Sequence, residues 1–139
     1  MPIYEYRQVN MRDLIKVFKA LSDENRLRIL NLLLLRECCV CEVVQVLGIS
    51  QTRVSRSLSQ LYDAGLLDRR SEGLWNIYTL SSHLTDDYRN LIVKAVEQAL
   101  SNNPIAVNDR KQLAQSKRLC PSAAGIKAAQ FNPANSSCS

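Results

Sequence analysis

Apolar residues recur at helical spacing over residues 5–21, where Val9, Leu14, Val17, Phe18 and Leu21 are separated by arginine and lysine. That pattern predicts a helix with one buried face. Ser22-Asp23-Glu24-Asn25 then offers an N-cap and first-turn acids, and Leu27, Ile29, Leu30, Leu33 and Leu34 predict a second helix over residues 23–35. Val43, Val44, Val46 and Leu47 predict a short third helix stopped by Gly48, the residue best suited to a left-handed helix end. Ser50 is a natural N-cap for a fourth helix over residues 51–64, with Val54, Leu58 and Leu61 on one face and Gly65 closing it. A short helix, a tight glycine turn and a second helix make a helix-turn-helix.

Two further runs, residues 66–70 and 74–80, flank Ser71-Glu72-Gly73, and the β-branched and aromatic content of the second predicts a hairpin. A hairpin directly after a helix-turn-helix is a wing. Residues 84–100 carry Leu84, Leu91, Ile92, Ala95, Val96, Ala99 and Leu100 and predict a last long helix. The expected fold is therefore mainly α, a winged helix-turn-helix with a two-stranded β-hairpin wing. The two terminal helices present more apolar surface than a small domain needs for its own core, so they are expected to form a dimer interface.

After Asn102-Asn103-Pro104 the composition shifts to Ser, Asn, Ala, Lys and Pro. The expected organisation is a DNA-binding and dimerisation domain over residues 1–102 and a basic, flexible tail over residues 103–139, with at most a weak helix over 107–119. At 139 residues the chain is one domain by length, and no apolar run approaches the roughly 20 residues that span a bilayer. The start, Met1-Pro2-Ile3-Tyr4-Glu5-Tyr6-Arg7, has neither a signal-peptide core nor a cleavage pattern, so a cytoplasmic protein with no membrane partner is expected.

Net charge alone argues little about DNA. Of the +5 total, +4 falls in residues 101–139, where Arg110, Lys111, Lys117, Arg118 and Lys127 face only Asp109, which leaves +1 for residues 1–100. The argument rests instead on where polar groups fall. With Val54, Leu58 and Leu61 facing the core, the fourth helix displays Gln51, Thr52, Arg53, Ser55, Arg56 and Ser59, suitable partners for base edges and phosphates. Arg69 and Arg70 are expected close to the tip of the wing, where phosphate or minor-groove contact is possible. A solvated polar face has the same composition, but glycine punctuation, polar face and wing occur here together and in order.

Cys38-Cys39-Val40-Cys41 places three of the five cysteines in four residues. In a reducing compartment their functional uses are metal binding or redox chemistry, and the odd cysteine count argues against a closed disulfide framework. Thiolates select soft ions, and by the same softness trivalent arsenic or antimony. Structural zinc normally takes four ligands, whereas three thiols cluster here and His83 is the sole histidine, which favours a three-coordinate thiophile. Cys38 and Cys41, three apart, share a face of a regular helix; Cys39 and Cys41 meet only if the helix start is unwound. A lone free cysteine is most simply a small core residue, but three in four residues point to a ligand cluster rather than to Cys38 and Cys39 as core alone. Cys120 and Cys138, far along the chain, read as bystanders rather than ligands.

These residues together resemble the arsenic-responsive repressor (ArsR) family of bacterial winged-helix metalloregulators, over roughly residues 8–100. The resemblance is carried by Phe18-Lys19-Ala20-Leu21-Ser22-Asp23-Glu24-Asn25-Arg26-Leu27-Arg28-Ile29-Leu30, Cys39-Val40-Cys41-Glu42-Val43, Ser50-Gln51-Thr52-Arg53-Val54-Ser55-Arg56, and Gly65-Leu66-Leu67-Asp68-Arg69-Arg70 leading into Trp75 and Tyr78. It implies a homodimeric repressor that binds an inverted-repeat operator in double-stranded DNA without any cofactor and leaves it when As(III) or Sb(III) is captured by Cys39 and Cys41. In the family's best-known pattern a third Cys follows three residues after the second; here Val44 stands there, so the third ligand is open, with Cys38 the nearest candidate and Cys120 the next. Zinc-sensing members use paired histidines and carboxylates on the last helix. Here His83, Asp86 and Asp87 have no second histidine beside them, so a site of that type is not expected.

Three rivals remain. One is a thiol redox sensor on the same fold. Another is a metalloid scavenger without operator specificity. A thiol enzyme, such as an arsenate reductase or phosphatase, needs an oriented anion site beside its cysteine, and residues 38–45 contain neither Gly nor Arg, so the chain is not expected to be an enzyme.

Overall fold

Four helix starts are set by a polar side chain that accepts a hydrogen bond from the first turn: Asn10 before α1 (Met11–Leu21), Asp23 before α2 (Glu24–Leu35), Ser50 before α4 (Gln51–Asp63) and Asn103 before α6 (Pro104–Gln115). The computed structural model describes residues 9–118. Between these helices lie β1 (Cys38–Cys39), α3 (Val40–Leu47), β2 (Leu67–Glu72), β3 (Trp75–Leu80), a single 3-10 turn at Leu84–Asp86, and α5 (Arg89–Leu100).

The winged helix-turn-helix is present. Gly48 takes the left-handed conformation between α3 and α4 (φ 68°), and Gly65 does so after α4 (φ 82°). Gly65 is fixed twice over, because a Cβ there would fall 1.7 Å from Arg89 Nη1, which donates to the Gly65 carbonyl at 2.9 Å. The β2–β3 hairpin turns at Gly73–Leu74 and pairs Leu67 with Leu80 through Glu72 with Trp75. The sheet also gains a strand that periodicity did not foretell: β1 pairs antiparallel with β3, Cys38 opposite Tyr78 and Cys39 opposite Ile77, giving the order β1-β3-β2.

Ile29, Leu30 and Leu32 from α2, Val43 from α3, Val54, Leu58 and Leu61 from α4, and Leu66 are fully buried in one core. The apolar face expected of the fourth helix is thus the face that packs. Arg26 ties α2 to α1 and α4: its guanidinium donates to the carbonyls of Ala20 and Lys19 at the end of α1 and to Gln60 Oε1 on α4.

Three boundaries differ from expectation. The first helix begins at Met11, because Asn10 caps it; residues 5–8 lie outside the described residues. The last long helix begins at Arg89 rather than near residue 84, since Asp87 is extended and its carboxylate accepts from the Arg89 N–H and guanidinium. The expected domain boundary at 102/103 cuts a folded unit. α6 spans Pro104–Gln115, with Pro104 in its first turn, and packs on α2 and α3 through buried Ala106, Asp109 and Leu113. The rest of the expected tail, from residue 119, lies outside the described residues. No described helix is long and apolar enough to cross a membrane.

Candidate thiol site and nucleic-acid interface

Cys39 occupies the N-cap position of α3 in extended conformation (φ −84°, ψ 163°), so the cysteine pair straddles the junction between β1 and α3. Leaving the helix at this point is what lets residues two apart meet: the Cys39 and Cys41 sulfurs are joined as a disulfide, with their Cα atoms 5.5 Å apart. Glu42, at the third helical position, reaches back so that its Oε1 accepts the Cys39 N–H at 2.9 Å. Its carboxylate is buried and also binds Arg36 Nη2 at 2.7 Å and Arg118 Nε at 3.4 Å.

Cys38 points the other way. Successive residues of a strand face opposite sides: both cysteines are buried, but Cys38 packs within the main hydrophobic cluster whereas Cys39 stands outside it, against Cys41. The Cys38 sulfur lies 3.5 Å from the Arg36 carbonyl oxygen, and burial, reinforced by the Glu42 charge, pushes the thiol up to about 12. At neutral pH such a thiol holds little thiolate, the nucleophilic form. Of the three clustered cysteines, then, the structure brings together Cys39 and Cys41 and turns Cys38 away. Among the described residues no group of three His, Cys, Asp or Glu converges as a ligand set, and Cys120 lies outside them. We expect iodoacetamide to label Cys41 of the reduced native protein at neutral pH and to spare Cys38 until unfolding, as peptide mass mapping over time can check.

Residues that sequence reasoning missed surround this pair. After α6 the chain runs back along α3. The Gln45 amide nitrogen donates to the Cys41 carbonyl at 3.1 Å and to the Lys117 carbonyl, while its oxygen accepts the Lys117 N–H at 3.0 Å. The Arg118 guanidinium lies 5.6 Å from the Trp75 ring centroid on β3. Only the Cys-x-x-Glu spacing of a capping box hinted at Glu42. Nothing local in the sequence marked Gln45 or Lys117.

On α4, Gln51, Thr52, Arg53 and Arg56 are exposed and Ser55 and Ser59 half-buried, all on the side away from the core. The arginines of β2 are exposed but engaged. Arg69 stacks 4.3 Å from the Tyr62 ring centroid, and Arg70 binds Glu37 at 2.5 Å and Glu72 at 3.0 Å. Hydrogen bonds to Glu37 and Glu72 raise the Arg70 guanidinium above its ordinary range and the same contact lowers Glu37. Both arginines sit in mid-strand rather than at the wing tip, which is Gly73–Leu74.

His83 is exposed ahead of the 3-10 turn, and Asp87 is committed to Arg89. Large apolar residues are left exposed on α1 at Met11, Ile15 and Phe18 and on α5 at Leu91, and also at Leu35 of α2, Leu74 of the wing tip and Ile105 of α6.

Residues 23–69, from the cap of α2 into the wing, match the model of the bacterial regulatory protein, arsR family. The chain is 34% identical over 119 residues to the arsenic resistance transcriptional regulator ArsR1 of Pseudomonas putida, covering 80% of this chain and 92% of that protein. It is 46% identical over 71 residues to the arsenical resistance operon repressor of Escherichia coli, covering 50% of this chain and 61% of that one. Among solved structures, HlyU from Vibrio cholerae is similar with a TM-score of 0.58 and 29% identity, over 69% of this chain and all of that one. A homodimeric winged helix-turn-helix DNA-binding domain from Mycobacterium bovis matches with a TM-score of 0.56 and 26% identity, over 68% of this chain and 83% of that one.

Proposed function

The chain belongs to the ArsR family of bacterial transcriptional regulators, and from that premise we propose that it is a homodimeric repressor released from an inverted-repeat operator by As(III) or Sb(III) bound at Cys39 and Cys41. The observation that carries this reading is the pair of sulfurs brought into contact at the first turn of α3, one glycine turn before the α4 face that carries Gln51, Thr52, Arg53, Ser55, Arg56 and Ser59. The names of the arsenic resistance relatives support the choice of ligand. The exposed apolar residues of α1 and α5, and the homodimeric relative, support the dimer.

The chemistry begins from the reduced pair, as a reducing cytoplasm maintains it. Arsenite, As(OH)3, exchanges hydroxide for thiolate: each As–S bond formed breaks one As–O bond, and the thiol proton leaves with the hydroxide as water. No electron is transferred. An arsenic atom held between the two sulfurs spaces them differently from free thiols, and because Cys39 caps α3 while Cys41 lies within it, the ion bears on the helix start. Release follows only in so far as the ion binds the DNA-free arrangement more tightly. DNA binding itself needs no cofactor in this scheme.

The direct test is fluorescence anisotropy of the reduced protein on labelled DNA from its own upstream region, titrated separately with arsenite, antimonite and zinc. Release by the two metalloids and persistence with zinc is the expected result; binding that survives all three sinks the inducer assignment. Arg56→Ala should weaken operator binding by roughly 10- to 100-fold while leaving arsenite uptake intact. Equal affinity of both proteins for operator DNA would remove α4 from its reading role.

A second reading is favoured by one observation, the closed Cys39–Cys41 disulfide. In a redox sensor a peroxide would take two electrons and two protons from the thiol pair, and the disulfide would then do what the metalloid does above. Another solved relative, described as reduced HlyU from Vibrio cholerae, is 35% identical. Release by peroxide, reversed by a phosphine, together with indifference to arsenite, selects this reading.

A further inference from the structure

We propose that Glu42 is a positioning residue for the thiol pair, holding Cys39 outside α3 so that the Cys39 and Cys41 sulfurs converge on one bridging arsenic atom; this rests on the reading of Cys39 and Cys41 as ligands. In a regular helix of about 3.6 residues per turn, residues two apart point to nearly opposite faces and cannot share an ion. Were α3 to start one residue earlier, Cys39 would enter that geometry and the pair would open. Two contacts oppose this: Cys39 is paired with Ile77 in the sheet, and its N–H donates to Glu42 Oε1 at 2.9 Å. The sheet pairing goes no further, because β1 ends at Cys39, so the Glu42 bond is the one that reaches across the junction from α3 itself.

Glu42 is in turn held from two other elements. It is only 3% exposed, and a buried carboxylate is costly unless it is paired. Arg36, at the end of α2, binds Oε2 at 2.7 Å, and Arg118, in the chain after α6, approaches Oε1 at 3.4 Å. Arg36 is itself fixed by donating to the Leu113 carbonyl and to Ser116 Oγ. One carboxylate therefore joins the end of α2 and the chain after α6 to the Cys39 backbone. The unwound helix start is built before any ion arrives, and the ion meets a preorganised pair of thiols.

The probe is phenylarsine oxide, which needs two thiols only. Two As–S bonds form, the arsenic–oxygen bond breaks, the two thiol protons leave with that oxygen as water, and no electron is transferred. The parent for the test is the full-length reduced chain carrying Cys120→Ser and Cys138→Ser, so that no thiol beyond the cluster competes. Glu42→Gln keeps an oxygen for the Cys39 N–H, as a capping box allows, and is expected to bind the probe within about threefold of the parent. Glu42→Ala loses the acceptor and is expected to bind roughly 10- to 100-fold more weakly, the usual cost of removing a group that orients a ligand. Both variants lose the charge, so the contrast between them isolates the hydrogen bond. Iodoacetamide should label Cys41 no more slowly in either variant, because that reaction needs one thiol and no bridging geometry. Glu42→Met, of similar length and without an acceptor, replaces the alanine variant if thermal unfolding shows that protein to be unfolded. A folded Ala or Met variant that binds like the parent, a Gln variant as weak as either, or slowed labelling of Cys41 would overturn the assignment while leaving Cys39 and Cys41 as ligands. Failure of both Ala and Met to fold would overturn it too, by making Glu42 a requirement of the fold. A parent that binds the probe no better than its Cys39→Ser variant would overturn both readings.

Discussion

Serine at Cys39 or at Cys41 is expected to leave operator binding within about twofold of the unmodified protein and to abolish its response to arsenite. The unmodified protein should lose roughly 5- to 150-fold in operator affinity when saturated, the usual range of coupling between two sites. Each variant should lose none of it, because one remaining thiolate cannot hold the ion against the helix start. The substitution is mild structurally. Cys39 already stands at an N-cap, where serine is among the preferred residues, and its N–H keeps Glu42 as partner. Cys41 is half-buried in the first turn of α3, so a hydroxyl there meets water. Anisotropy titrations of the two variants beside the parent measure both quantities. A folded variant that no longer binds the operator would show that the cysteines serve the reading head itself, and the division between sensor and reader would fall.

Arg28→Ala should destabilise the fold by about 3 kcal/mol, the largest stability loss we expect from any single charged residue here. Arg28 and Asp109 make a two-point ion pair, Nε to Oδ2 at 2.8 Å and Nη2 to Oδ1 at 2.9 Å, that fastens α6 to α2. The hydrogen bond to Asp109 holds the guanidinium above its ordinary range despite burial. Removing the arginine leaves a carboxylate only 2% exposed without its cation, whereas Asp109→Ala leaves a guanidinium that is 23% exposed and can turn to water. Asp109→Ala should therefore cost less, about 1–2 kcal/mol. Urea unfolding of both variants gives the ordering; an Arg28→Ala protein as stable as the parent would mean that α6 is held by Ala106 and Leu113 alone. The pair also sets where residues 116–118, which follow α6, meet α3.

Much of the architecture was legible because it is encoded by short-range patterns. Val54, Leu58 and Leu61 share a face by helical period alone, and they are buried together. Gly48 and Gly65 end helices because their backbone must enter the left-handed region, a demand that depends on no distant residue. The start of the last long helix was misjudged because leucine spacing continues through Leu84, while the break is made by Asp87 turning to Arg89, a polar contact that apolar period cannot register. α6 was underrated for a related reason. Its exposed face is polar and its burial depends on Ala106, Asp109 and Leu113 meeting partners some 80 residues earlier.

The thiol site divides along the same line. The cluster Cys38-Cys39-Val40-Cys41 and the condition that Cys39 and Cys41 meet only at an unwound helix start were set by the sequence itself, since spacing fixes which residues share a helical face. That Cys38 turns inward was decided by β1 pairing with β3, because a strand sends neighbours to opposite sides, and no local pattern announces a two-residue strand. The engagement of Arg69 with Tyr62 and of Arg70 with Glu37 likewise required the sheet to bring them together. So did the meeting of Lys117 with Gln45, 72 residues apart. Local sequence determined which helices form, where they stop and which faces are apolar, because those follow from backbone preference and period. Tertiary packing alone decided which two thiols meet, which one joins the core, and which stretch of chain lies along α3, because each depends on contacts between residues remote in sequence.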